Sequence, residues 1–190
     1  DCNQNILNEA RCKFAKYINN GDLIALDKCI SDKNNDIISF YISTYPVWSS
    51  CNKQIAERIE MSEEVKVETI TLSKLIATYG CPVYCKIDIE GNDVYAVRSL
   101  KGLDEIPQIV SVEAECLGKG EVAKINMLDE LKDVGYREFF IVDQSRNLDF
   151  RFDFYKRYKW YNYEEANEQL KQVKREDFKY GVWADIYARR

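Results

Sequence analysis

Apolar residues recur along this chain at two alternating spacings, one helical and one of period two, and that alternation points to an α/β sheet. The first helical stretch is Asn5–Ile18, where Ile6, Leu7, Ala10, Phe14 and Ile18 share a face and Gly21 follows as a stop. Leu23–Leu26, Ile37–Ser43, Val65–Ile70, Val83–Ile89, Ile109–Glu113, Glu138–Val142 and Val182–Ala188 read as strands. Helices are expected over Thr71–Tyr79, Asp93–Leu100, Glu121–Val134 and Glu164–Val173, with Gly80 and Gly135 ending two of them. Tyr45–Ser50 reads as a loop, and Asn147–Tyr163, crowded with aromatic and charged residues, follows neither period. No internal repeat or Gly/Ser linker divides the 190 residues, so a single domain is expected over 1–190.

Composition removes several functions. The formal net charge of -5 argues against a general nucleic-acid binder, which carries a basic surplus. No apolar run reaches the roughly 18 residues of a membrane span. There is no histidine, which excludes histidine triads, histidine metal clusters and the commonest general base. The seven cysteines are odd in number, and only Cys81 and Cys85 lie close in sequence. They read as free or buried thiols in a reducing, cytoplasmic setting rather than as a zinc site or a disulfide framework.

The chemistry concentrates in Lys86-Ile87-Asp88-Ile89-Glu90-Gly91, which places two carboxylates and a glycine at the end of a buried strand before a helix. Ligands of open α/β sheets bind outside the carboxyl ends of the strands. Period two puts Lys86, Asp88 and Glu90 on one face. The bland alternative pairs Lys86 with Asp88 and uses the acids to cap the next helix.

Val67-Glu68-Thr69-Ile70-Thr71-Leu72-Ser73-Lys74-Leu75 followed by Lys86-Ile87-Asp88-Ile89-Glu90-Gly91-Asn92-Asp93 resembles the hallmark of FkbM-family methyltransferases dependent on S-adenosylmethionine. Ser73 stands where that family usually has Asp, and Asp93 where it has Glu. Ile109–Glu113 fits the family's next strand, and Trp183-Ala184-Asp185-Ile186-Tyr187-Ala188 is similar to its closing strand, with Tyr187 in place of a His. The resemblance implies a Rossmann-like class I methyltransferase sheet, mostly parallel, with helices on both faces and an antiparallel C-terminal strand. It also implies that the first βα unit, about 30 residues with a Gly-rich turn, is missing from this sequence, so that the 190 residues alone bind the cofactor poorly.

By the same resemblance, Asp1-Cys2-Asn3 follows the ribose-binding acid, which puts Asp1 at the cofactor, and Cys29, Ile30 and Ser31 lie on the adenine side. Trp48-Ser49-Ser50 corresponds to a serine-containing loop near the cleft. The implied reaction is O-methylation of a hydroxyl on a small molecule or glycan. Asp88, which also faces the cofactor, is the first choice for the base, with Glu90 and Glu115 beside it; Glu113 also borders the cleft. Two carboxylates, Asp88 and Glu90, make a thin metal site, and no metal is assigned. No nucleic-acid or membrane partner is expected, and an open sheet edge favours self-association. The aromatic tract from Phe150 to Tyr161 reads as core packing or a substrate lid rather than a base-stacking strip. The rival reading is a non-catalytic α/β interaction domain.

Overall fold

Residues 1–114, 126–144, 150–173 and 184–190 are described by the computed structural model, and among them two mixed sheets form. The chain runs α1 (Gln4–Lys13), α2 (Ala15–Asn19), β1 (Cys29–Ile30), β2 (Ile37–Ser43), α3 (Lys53–Ala56), β3 (Ser62–Ile70), α4 (Leu72–Tyr79) and β4 (Tyr84–Ile87). It continues with α5 (Asp93–Arg98), β5 (Ile109–Glu113), α6 (Met127–Val134), β6 (Glu138–Asp143), α7 (Tyr163–Gln172) and β7 (Ala184–Arg189). The smaller sheet has the order β1-β3-β2 and the larger β4-β5-β7-β6.

Only β1–β3 and β4–β5 are parallel; β2–β3, β5–β7 and β6–β7 are antiparallel. The expected mostly parallel Rossmann-like sheet is therefore corrected to a mixed α/β arrangement, with the antiparallel closing strand as expected. The cause is legible in β3. Its Glu63, Glu64 and Lys66 are exposed and Glu68 is half-buried, so the β2–β3 hairpin keeps a wet face that antiparallel sheets tolerate and buried parallel ones do not.

Register fixes the two faces of the larger sheet. Ile87, Val110, Val112, Ile186, Ala188 and Phe139 belong to the main core, which also takes Val94, Val97 and Leu100 of the α5 region and Leu128 and Leu131 of α6. Tyr136, buried beside them, donates its hydroxyl to the Pro107 carbonyl at 3.0 Å. The opposite face carries Tyr84, Ser111, Tyr187 and Phe140, and there helices are replaced by aromatic side chains of residues 150–160. Phe152 stacks on Tyr187 at 5.2 Å and on Tyr158 at 5.0 Å, while the Arg189 guanidinium lies 4.5 Å from the Trp160 ring centre. Among the described residues no helix covers this face, so the expectation of helices on both faces is corrected for this sheet, and rings of the aromatic tract pack against it instead.

Local expectations divide the same way. Ile37–Ser43 and Ile109–Glu113 form strands with the expected bounds. Thr71 caps α4 by accepting from Lys74 N. The first helix breaks at Phe14 (φ -105°), and of the expected face only Leu7 is buried. Leu23–Leu26 forms no strand, and Leu23 and Ile24 are exposed. Val83–Ile89, expected to be central, contracts to Tyr84–Ile87 and ends the order of the larger sheet, because Val83, Lys86 and Asp88 face solvent. Helix α6 starts at Met127; residues 121–125 lie outside the described residues, as do Val182 and Trp183.

Phe152→Ala is expected to lower unfolding stability by about 1–3 kcal/mol, because it removes three stacked ring contacts from a half-buried site. Tyr155→Ala, at a ring 98% exposed, should stay within about 0.5 kcal/mol of the parent. Urea denaturation of the two variants checks both.

Candidate functional site

Strand β4 ends at Ile87, and the chain then turns sharply into α5 through Asp88-Ile89-Glu90-Gly91-Asn92. The turn needs two successive left-handed residues, Glu90 (φ 51°) and Gly91 (φ 104°). Glycine adopts that conformation freely, whereas a glutamate there is strained by about 1–2 kcal/mol. Several polar contacts hold it. Ser50 Oγ donates to the Glu90 carbonyl at 2.5 Å, and Asn92 Nδ2 donates to the Ile30 carbonyl at 2.8 Å. Asp93, buried at the start of α5, accepts from Gly91 N at 3.1 Å and Ile89 N at 3.4 Å.

Lys86 Nζ pairs with Asp88 Oδ2 at 2.9 Å, with both side chains about half exposed. Arg58 Nη2 pairs with Glu90 Oε2 at 2.5 Å in a largely buried setting, and its guanidinium lies 4.5 Å from the Trp48 ring centre. Arg58 Nε is a buried donor without a hydrogen-bond partner among the described residues. Ligand oxygens of Asp88, Glu90 and Glu113 lie within 4.8 Å of one another. Glu113 ends β5 directly opposite Asp185 of β7, a like-charge cross-strand pair that costs energy when both ionise. Gln144 Nε2 donates to Asp185 Oδ2 at 2.5 Å.

This crowding of acids sets their protonation. Burial, reinforced by the charges of Glu90, Asp88, Asp93 and Asp185, pushes the Glu113 carboxyl up to about 8. Burial also raises Glu90, although Arg58 opposes it. Asp93 is raised by burial against the pull of the backbone donors, and Asp185 by burial against Gln144 and Lys86. Lys86 is lowered by burial, but Asp88 outweighs that and holds it above the usual lysine value. A carboxylate poised near neutral pH suits proton abstraction, and three oxygen ligands together also suit a hard cation.

The sequence-derived candidates meet here in part. Asp88 and Glu90 fall in the cluster, and the bland alternative also has its Lys86–Asp88 pair and its acid, Asp93, capping α5. Ile30 touches the turn through Asn92, and Cys29 sits next to it with its sulfur 2.8 Å from Cys51. Ser31 N donates to the Ile70 carbonyl and its hydroxyl to Asp32. Asp1 is exposed; its carboxylate accepts from Asn3 N and its amino group donates to the Leu26 carbonyl, 25 residues away. Glu115 lies outside the described residues. An open cleft of about 620 Å³, lined among others by Cys2, Asn3, Arg11, Lys28 and Glu68, does not include Asp88, Glu90 or Glu113. Sequence reasoning missed Arg58, which sits in a polar run outside any motif and is recognised only by its partners Glu90 and Trp48.

In the fold Glu113 keeps its proton to about pH 8, whereas its ordinary value is 4.5. The unfolded chain therefore ionises first, so the stability contributed by Glu113 is fully present below about pH 4.5 and is lost as pH rises toward about 8. Glu113→Gln should flatten that slope and be more stable than the parent by about 2–4 kcal/mol at the alkaline end, as read from urea denaturation across the range.

Against known proteins, a family model described as the Methyltransferase FkbM domain matches residues 5–138. Neither the curated proteins nor the solved structures yielded a match.

Proposed function

The chain belongs to the FkbM methyltransferase domain family, and from that premise we propose that it is an S-adenosylmethionine-dependent O-methyltransferase acting on a hydroxyl of a small molecule or glycan. The observation that carries the reading is the convergence of Asp88 and Glu90, just past the end of β4, with Glu113, the last residue of β5, within a chain of this family. Carboxylates suit a sulfonium electrostatically. The orphan donor Arg58 Nε, beside Glu90, fits a ligand that brings a carboxylate or hydroxyl. Ile30 ends β1 against Asn92 and Ser31 follows it, in keeping with an adenine side there; the hydrogen bonds of Asp1 go to Asn3 and Leu26 instead.

Bound S-adenosylmethionine supplies an electrophilic methyl group. The protein's part is to place the acceptor oxygen in line and to take its proton, and positioning contributes most of the acceleration. Glu113 is better poised as base than Asp88, since its protonation changes near neutral pH while Asp88 is paired with Lys86. Glu90, tied to Arg58, serves to hold the turn and the ligand. No described helix is long and apolar enough to cross a membrane. The reading completes itself as a cytoplasmic enzyme needing neither nucleic acid nor membrane, with self-association through the open edge of β4.

The protein expressed from its natural reading frame is to be titrated calorimetrically with S-adenosylmethionine, then assayed with methyl-labelled cofactor on hydroxyl acceptors. Loss of the base is expected to cut turnover by about 10²–10⁴ without lowering the melting temperature. If Glu113 is the base, Glu113→Gln gives that loss and the parent rate climbs with pH toward about 8; if Asp88 is, Asp88→Asn does. Turnover surviving both substitutions retires the carboxylate-base assignment. Label found on nitrogen retires O-methylation, and a folded protein that binds no cofactor leaves the interaction domain.

A further inference from the structure

The smaller sheet contains a thiol arrangement that the methyltransferase reading does not use. Cys29 Sγ and Cys51 Sγ lie 2.8 Å apart, closer than two sulfur atoms sit when merely packed, yet both are free thiols. They come from different parts of the chain, and each is fixed by its backbone. Cys29 opens β1 opposite Thr69 of β3. Cys51 follows Ser50, which exchanges two backbone hydrogen bonds with Tyr41 of β2 at 2.8 and 3.1 Å, and precedes Asn52, which caps α3. Rigid backbones on both sides keep the two sulfurs facing. Cys2, also buried, interacts with the Cys29 thiol, whereas Cys12 is exposed.

We propose that Cys29 and Cys51 form an oxidation-sensitive pair that closes to a disulfide by exchange with a small-molecule disulfide such as oxidised glutathione. The less buried Cys51 attacks first. Its thiolate forms a bond to one glutathione sulfur and releases the other as a thiol. Cys29 then loses its proton, attacks the Cys51 sulfur and releases the second glutathione thiol, so that one small disulfide is reduced for each protein disulfide made. The order of attack follows the environments. Cys2 lowers the Cys29 thiol, but Cys51 and burial outweigh it and push it up to about 12, which fits a resolving thiol rather than an attacking one.

The new bond would join β1 to the turn whose Ser50 hydroxyl holds the Glu90 carbonyl, so oxidation stiffens the support beneath the acidic turn. The thiol chemistry itself stands whether or not the protein transfers methyl groups.

The full chain, kept native, is incubated with oxidised glutathione, then denatured without reductant, alkylated and weighed. The expected result is a loss of two alkylatable thiols from seven, with no glutathione retained. Peptide mapping should join Cys29 to Cys51, and dithiothreitol should restore all seven. Cys29→Ser should leave glutathione stably on Cys51, and Cys51→Ser should abolish the crosslink. If either variant fails to fold, the map of the parent chain decides. Seven alkylatable thiols after treatment, a stable glutathione adduct on Cys51 of the parent, or a Cys2–Cys29 crosslink would each overturn the proposal.

Discussion

Two side-chain hydrogen bonds join the sheets at the acidic turn: Asn92 Nδ2 to the Ile30 carbonyl and Ser50 Oγ to the Glu90 carbonyl. They fix the end of β4 against β1 and against the loop before α3, alongside the Arg58–Glu90 pair and the packing of Ile30 on the main core. Without them the left-handed Glu90 would lose part of what holds it against its own strain. With them, the carboxylates of Asp88 and Glu90 are brought to Glu113, and Cys29 and Cys51 lie just behind. One short turn thus sets the geometry of the acids and reaches into the smaller sheet.

The acids are tolerated by three different means. Asp88 and Glu90 are neutralised by cations, Lys86 at the surface and Arg58 in a largely buried position. Asp93 is satisfied by backbone N–H groups at a helix start, where negative charge is favoured. Glu113 has neither remedy sufficient to offset its burial and retains its proton toward neutral pH. A structural ion-pair network and a catalytic site can both perturb acids in this way. What favours chemistry is that the least compensated acid stands at a strand end in a member of a methyltransferase family.

Much of this was legible in the residues because the signals were local. The period of Ile37–Ser43 and Ile109–Glu113 gave their strands, Thr71 and Gly80 bounded α4, and Asp88 with Glu90 marked the turn. What failed depended on tertiary context. Leu23–Leu26 has strand composition but no neighbour to pair with, and the apolar run around β4 gave no hint that the strand would end its sheet. The polar residues of β3 did signal a wet face, which the expectation of a buried parallel sheet overrode. Arg58 had no local signal, since an arginine in a charged run looks solvated until Trp48 and Glu90 enclose it. The aromatic tract lacked a period because it packs as an irregular strap, with rings chosen by the faces of Tyr187, Phe140 and Tyr84.

Strand β7 follows every other described element in sequence, yet it lies between β5 and β6 and bonds to both. During synthesis, β5 and β6 emerge well before the strand that separates them, and each waits with an unpaired edge. The main core cannot receive Ile186 and Ala188 until then, and Tyr187 cannot meet Phe152. Such long-range pairing makes for slow folding and a window in which open edges invite association with other chains. The yield of native protein should therefore be governed less by the strength of the finished core than by how quickly this late strand finds its gap.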